Sequence, residues 1–218
     1  MPSSRFKPRT RKSGFRSAKL IVIAAEGTHT EGKYFDDLAY DDRYRNPKVH
    51  VEVLKRSSTA SSPDHVIREL DEFRRRYKLQ DIDELWLVID LDRWGDGTLS
   101  DIGQQCSQKK YLFAVSNPCF EIWLLLHIKS IDEYTSEQLK ELTENRKLNG
   151  RTRIEKEIID ICGTYNKSNL NSVDFLPYVE TAIERARVMD VNPNHRWTNH
   201  IGTRVYLLAE SIISHTHR

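Results

Sequence analysis

The sequence has little cysteine and no long apolar run. Its cysteines are scattered, with no CxxC or Cys/His spacing, which argues against a zinc site; they are Cys106, Cys119 and Cys162. The longest apolar stretches, residues 20–25 and 122–126, are far too short to span a membrane. Met1 leads into a basic, Ser-rich stretch, not into an apolar secretory signal. We therefore expect a reduced, cytoplasmic protein without a membrane partner.

The net charge is also small, +2 from 34 basic and 32 acidic residues, but the charges are unevenly distributed. Residues 1–19 contain seven lysines and arginines and no acid. Such a block cannot bury its charge, so residues 1–17 are expected to form a flexible tail that either contacts phosphates or only solubilises the chain. With 38% hydrophobic residues, the 218-residue chain can form one α/β domain with a helical part, or two small domains.

Short apolar runs alternate with helical patterns in the first part of the chain. Runs at 20–25, 85–89 and 111–115 are typical of strands buried on both faces, and residues 48–53 alternate as a less buried strand. This alternation predicts an α/β domain with a parallel sheet of about four strands. We assign that domain to residues 18–130 and a helical C-terminal region to residues 131–218.

Local signals indicate where several helices begin and end. Thr30 is expected to cap the helix after the first strand, and Ser62 to cap a helix whose first residue is Pro63. Capping-box spacing begins at Thr135 and at Thr152, and Gly163 is expected to stop the second of these helices.

Three acids follow the apolar strands. Glu26 comes directly after the first strand, and Asp90 and Asp92 come directly after the third. Ligands of open α/β sheets bind at the carboxyl ends of the strands, so these carboxylates would converge if the two strands are neighbours. Three carboxylates in one place would need a cation, and hard oxygen ligands suit Mg²⁺ or Mn²⁺. The alternative interpretation of Asp90 and Asp92 is a solvated turn.

Three segments resemble the RloB-like family: residues 25–35, 88–92 and 116–127, which read AEGTHTEGKYF, VIDLD and SNPCFEIWLLLH. That family belongs with Rossmann-like Toprim-fold nucleases and is associated with defence against phage. The resemblance implies that Glu26 is a metal ligand or general base and that Asp90 and Asp92 bind Mg²⁺. It also implies a partner ATPase encoded nearby. The expected activity is metal-dependent hydrolysis of phosphodiester bonds in DNA or RNA.

Further residues are candidates for this site. Glu121 begins an apolar helix and is either a catalytic or supporting carboxylate or a charge that favours the helix N-terminus. Asn117, beside it, is a supporting candidate. Lys33 and Arg93 are candidates for stabilising phosphate charge, with Lys33 ranked first. Four candidates for nucleic-acid contact are Arg74, Arg75, Lys167 and Arg196. His127, on an apolar helix, is interpreted as a hydrogen-bonded core residue.

Two other functions fit parts of the sequence. Residues 27–33 satisfy the GxxxxGK spacing of a nucleotide-binding P-loop, although Tyr34 replaces the required Ser or Thr and Glu31 would repel the phosphates. A Toprim-like fold can also serve as a non-catalytic nucleic-acid-binding or adaptor module. A homo-oligomer is compatible with the sequence.

Overall fold

The computed structural model describes residues 18–27, 29–55, 62–92 and 94–214. The predicted basic tail, residues 1–17, and the candidate Arg93 lie outside the described residues. No helix in the described ranges is both long and apolar enough to cross a membrane.

A mixed sheet organises the described chain. Its strands are β1 (Lys19–Ala25), β2 (Val49–Val53), β3 (Glu84–Asp90), β4 (Leu112–Asn117) and β5 (Gly202–Thr203), in the order β2-β1-β3-β4-β5. The first four strands are parallel, as predicted. The prediction of about four strands missed β5, which pairs antiparallel with the end of β4. A two-residue strand has no periodicity for a sequence pattern to reveal.

Eight α-helices occur within the described residues. They are α1 (Thr30–Tyr40), α2 (Pro63–Arg76), α3 (Asp96–Lys109), α4 (Glu121–Ile128), α5 (Ser136–Glu144), α6 (Arg153–Cys162), α7 (Val179–Met189) and α8 (Val205–Ile213). Both predicted capping boxes are confirmed, and Gly163 ends α6 with a positive φ. The prediction for Thr30 was wrong. His29 is the N-cap of α1, and the Thr30 hydroxyl instead donates a hydrogen bond to the Lys167 carbonyl at 2.7 Å.

The strands carry apolar side chains on both faces, and each face has its own helices. Alternate β1 residues, from Ile21 to Ala25, pack with α1, α4 and the later helices α6, α7 and α8. The intervening residues, from Leu20 to Ala24, pack with α2 and α3. The first cluster includes residues on both sides of position 130, so the helical C-terminal region shares its core with the sheet.

Strand adjacency decides which loops meet. β1 lies beside β3 with Ala25 opposite Val88, and β3 lies beside β4 with Asp90 opposite Ser116. Because these three strands run in the same direction, the residues that follow them lie at one edge of the sheet, here called the carboxyl edge.

Candidate active site

The acids predicted after β1 and β3 lie at the carboxyl edge. The Glu26 backbone N–H donates to the Val88 carbonyl at 3.0 Å, which holds this residue beside the end of β3. Asp90 is the last residue of β3. The Asp92 N–H donates to the Pro118 carbonyl at 3.0 Å, which fixes the turn against the start of α4. The neighbouring strands that this arrangement required are therefore present.

Asp90 is at the centre of the electrostatics of this edge. It accepts a hydrogen bond from the Phe120 N–H at 2.8 Å and is buried. Burial raises its pKa well above the usual range. The charges of four further carboxylates add to this effect, in the order Glu31, Glu121, Asp92 and Glu26. These five acids are called the edge carboxylates below. A negative charge on Asp90 is costly unless a cation offsets it.

Glu31 is a member of this group that sequence reasoning missed as a site residue. Burial and the nearby Glu121 and Glu26 raise its pKa to about 7, against the opposing effect of its own backbone hydrogen bond and of Lys167. The sequence did contain a feature that could have identified Glu31. Residues 31, 34, 35 and 38 share one face of a helix, so Glu31 lies on the apolar side of α1. An acid on such a face is buried, and acids are seldom fully buried unless they are paired, so this position was a candidate for the site.

Glu121 is paired with a cation from a distant part of the chain. Lys167 Nζ lies 2.8 Å from Glu121 Oε1, and the Tyr165 hydroxyl donates to the same oxygen at 3.0 Å. Burial acts to raise the Glu121 pKa, but the charge and hydrogen bond of Lys167, together with hydrogen bonds from Cys119 and the Glu121 backbone, hold the pKa below the usual value. Glu155 Oε1 lies 3.6 Å from Lys167 Nζ. Glu121 therefore holds Lys167 among the edge carboxylates.

Glu26 and Asp90 are held from opposite faces of the sheet. Glu26 is buried and accepts a hydrogen bond from Trp94 Nε1 at 2.9 Å, and Trp94 packs against the α2–α3 cluster. Asp90 contacts Phe120 on the α4 side. Within the ranges described, no group of three or more His, Cys, Asp or Glu side chains is arranged to hold a metal ion. The predicted meeting of Glu26, Asp90 and Asp92 around one ion is thus not preformed.

The other predicted site residues are distributed unevenly around this edge. The Asn117 amide donates to the Thr198 carbonyl at 3.3 Å and is buried beside β5. Lys33 is exposed on α1 and forms an ion pair with Asp37. Arg196 reaches the second turn of α3, where its Nη1 donates to the Ser100 carbonyl at 3.0 Å. The structure thus brings Lys167, not Lys33, into contact with the edge carboxylates.

Arg74 and Arg75 lie at the opposite edge of the sheet. They are in the last turn of α2, which runs from the carboxyl end of β2 to the amino end of β3. Arg74 Nη1 donates to the Lys109 carbonyl at 2.8 Å, just before β4 begins. These side chains therefore cannot contact the same phosphate as the edge carboxylates, and cations in a last helical turn also interact favourably with the helix dipole.

His127 has the structural role predicted for it. Its Nδ1 donates to the Trp123 carbonyl at 2.8 Å, and its Nε2 accepts from the Tyr34 hydroxyl at 2.9 Å, which assigns a neutral tautomer. Burial lowers its pKa to about 3. The ring is therefore uncharged at neutral pH.

One family model matches nearly the whole of the described chain. It carries the description "RloB-like protein" and matches residues 21–212. The chain belongs to the RloB-like family. The match contains both the edge carboxylates and the later segment that supplies Lys167, so this RloB-like chain is related to its family through the whole site. No curated protein matches the chain, and no solved structure does.

Gly27 lies where a P-loop would hold phosphate. A Cβ atom on Gly27 would be 1.9 Å from Glu31 Oε2, so the Glu31 carboxylate occupies the space against this glycine. A carboxylate there repels a phosphate anion, which disfavours the nucleotide-binding alternative for this RloB-like chain.

Proposed function

We propose that this RloB-like chain is a Toprim-type enzyme that hydrolyses phosphodiester bonds of nucleic acid with the aid of Mg²⁺ or Mn²⁺. The observation that carries the proposal is that Glu26, Asp90 and Asp92 follow neighbouring strands at the carboxyl edge, where the charges of Glu26, Glu31, Asp92 and Glu121 act on the buried Asp90. Open α/β sheets bind their ligands at this edge. Buried like charges favour a cation between them, and carboxylate oxygens are suitable ligands for Mg²⁺.

The donor set fits the ion although no three-donor cluster is preformed. Mg²⁺ commonly binds proteins through one or two carboxylates and completes its coordination with water and substrate phosphates. In this proposal Glu26, Asp90 and Asp92 would hold it. When bound, the ion would offset phosphate charge and lower the pKa of a water molecule.

The chain's own residues supply the remaining chemistry. Glu26, oriented by Trp94, would accept a proton from the water whose oxygen attacks phosphorus. A new P–O bond forms, the P–O bond to the leaving nucleoside breaks, and the leaving oxygen takes up the proton that Glu26 then releases. The Lys167 ammonium would offset the extra charge on the phosphate during this step. Glu121 would keep Lys167 in place, and burial around the site would limit access of bulk water.

The test is metal-dependent cleavage by variants that keep the side-chain shape. Glu26→Gln and Asp90→Asn are each expected to lower cleavage of a mixed DNA and RNA panel by at least about 100-fold, in the range of a lost catalytic base. Folding should be retained, as judged by circular dichroism and thermal unfolding. Glu184→Gln, a matched change at an exposed position on α7, should cleave as the wild type does. Wild-type cleavage should stop in EDTA.

Two outcomes would contradict the proposal. Glu26→Gln protein that cleaves at the wild-type rate would remove Glu26 from the mechanism. Tight binding of nucleic acid without cleavage, with Mg²⁺ or Mn²⁺ present, would support the non-catalytic binding module instead.

From the resemblance we also propose a role in defence against phage together with an ATPase encoded nearby. The expected result is protection of host cells by the wild-type chain, with that ATPase present, and loss of protection with Glu26→Gln. Plaque counts measure this outcome. Equal protection by both proteins would separate the defence role from hydrolysis.

A further inference from the structure

Two segments of the C-terminal region return to the carboxyl edge from opposite faces of the sheet. Residues 164–170, after α6, reach the α1–α4 face, where Thr30 and Glu121 hold Lys167. Residues 190–201, between α7 and β5, reach the α2–α3 face, where Arg196 contacts α3. Each segment contains one lysine or arginine, Lys167 in the first and Arg196 in the second, and the two contact opposite faces of the sheet.

Lys167 has donor capacity left for a second anion. Its side chain is 48% exposed, whereas that of its partner Glu121 is 2% exposed. The ammonium thus lies at the boundary between the buried carboxylate and solvent. An ammonium group has three N–H donors; Glu121 Oε1 at 2.8 Å is within hydrogen-bond distance of Lys167 Nζ, whereas Glu155 Oε1 at 3.6 Å is beyond it. A phosphate oxygen approaching from solvent can therefore bind Lys167 without breaking the Glu121 pair.

Arg196 lies on the α2–α3 face of the sheet, opposite the face that Lys167 contacts. Its Nη1 is anchored to the Ser100 carbonyl, and its stem lies over Gly103, where a Cβ atom would be 3.2 Å from Arg196 Cδ. α3 begins at Asp96, two residues after the Trp94 that contacts Glu26. Ser100 is therefore only about 6 Å along the helix from that start. The guanidinium of Arg196 is exposed, and a guanidinium group has further N–H donors that can bind a phosphate in a bidentate manner.

Burial of the carboxylates limits what kind of strand can reach them. Glu26 and Glu121 are almost fully buried, and Asp90 is nearly so. A flexible unpaired backbone can approach buried groups more closely than the surface of a rigid duplex can. We propose that one unpaired nucleic-acid strand crosses the carboxyl edge from Lys167 to Arg196, with phosphates on both sides of the cleaved bond bound by these two cations. This inference rests on the proposed function, because it deepens the substrate class of the same site.

The test measures binding without requiring cleavage. Fluorescence anisotropy in EDTA would follow a labelled 12-nucleotide single strand, as DNA and as RNA, over a range of salt concentrations. For single strands the slope of log K against log salt changes by about 0.7 for each phosphate contact. Lys167→Gln and Arg196→Gln are each expected to reduce the slope by about 0.7, and the double variant by about 1.4.

Matched variants separate this role from a general loss of charge. Lys78→Gln removes one exposed charge at the opposite edge and should leave the slope unchanged. Lys167→Arg and Arg196→Lys keep the charge and should restore the wild-type slope, which a merely unfolded variant would not do. Unchanged slopes in both Gln variants, equal changes in Lys78→Gln, or tighter binding of the matching duplex would each overturn the inference.

A small substrate distinguishes failure of the inference from failure of the proposed function. With Mg²⁺ or Mn²⁺, hydrolysis of bis(4-nitrophenyl) phosphate should fall in Lys167→Gln and be unchanged in Lys78→Gln, whose charge lies at the opposite edge. If the wild type hydrolyses no substrate but both salt slopes change as expected, the proposed nuclease activity is wrong and the proposed strand-binding site is supported. If the wild type hydrolyses the small diester but neither Gln variant changes the salt slope, the proposed nuclease activity is supported and the proposed strand-binding site is wrong.

Discussion

At the scale of single residues, the sequence identified the acids that follow strands and missed those that long-range packing brings to them. Glu26 and Asp90 were predictable because strand ends can be read from apolar runs. The partnership of Lys167 with Glu121 was not, because nothing local in either segment indicates the other. Glu31 had a local signal, its place on the apolar face of α1, but an acid on a helix is usually interpreted as solvated.

His127 gives a prediction about pH. Its folded pKa of about 3 lies below its usual 6.5, so only the unfolded chain binds the proton between these values. The stability from this residue is therefore present above pH 6.5 and is lost as pH falls from 6.5 toward 3. Between pH 4 and 6 the free energy of unfolding of the wild type should rise with pH more steeply than that of His127→Gln, by about 1.4 kcal/mol per pH unit.

Urea unfolding of both proteins at several pH values measures this difference. The comparison uses slopes, so a constant destabilisation of His127→Gln does not affect it. Equal slopes would mean that His127 is protonated in the folded protein, contrary to its hydrogen bonds with Trp123 and Tyr34.

At the scale of helices and strands, the best predictions came from sequence patterns that span only a few neighbouring residues. The capping boxes at Thr135 and Thr152 depend on residues three apart, and both formed. Thr30 lies one residue past the N-cap of α1. Its hydroxyl instead donates a hydrogen bond to the Lys167 carbonyl, which is 137 residues away along the chain. β5 was missed for a related reason, since its two residues are a strand only through their pairing with β4.

The start of α1 provides a matched pair of glycine substitutions. Gly27→Ala would place a Cβ atom 1.9 Å from the Glu31 carboxylate and should destabilise the protein by about 1–3 kcal/mol as an overpacking change. Gly32→Ala is within α1, and its nearest contact would be an ordinary 3.6 Å from Val53. It should stabilise the protein by up to about 1 kcal/mol, the helix preference of alanine over glycine.

Thermal and urea unfolding would measure both effects, with Gly27→Ala/Glu31→Ala as the rescue variant. If the clash is the cause, the double variant should regain the stability that Gly27→Ala loses. A Gly27→Ala protein as stable as Gly32→Ala would show that the Glu31 carboxylate moves aside without cost.

At the scale of the whole molecule, the order of apolar runs predicted the parallel sheet. The sequence did not predict that the C-terminal helices pack against this sheet. The sequence suggested a division near residue 130, because strand patterns end there. The structure places Ile21 and Ile23 in one cluster with Ile158, Val179 and Leu208. Contacts of this kind depend on which helix faces meet, and amphipathic periodicity alone does not specify a partner.

A fragment tests this shared core. Residues 1–130 would expose the apolar faces of α1 and α4 that α6, α7 and α8 cover, so the fragment is expected to lack a cooperative unfolding transition. Circular dichroism with denaturant, and binding of a hydrophobic dye, would measure this. A fragment that unfolds cooperatively with a wild-type midpoint would support two independent domains.

The pairing of Lys167 with Glu121 has a consequence for protein synthesis. The ribosome makes the acidic residues of the first 121 positions before it makes Lys167 and Arg196. Until then Glu121 has neither the Lys167 ammonium nor the Tyr165 hydroxyl as a partner. The carboxyl edge can therefore be completed only late in translation, after the segment that carries Lys167 has been made.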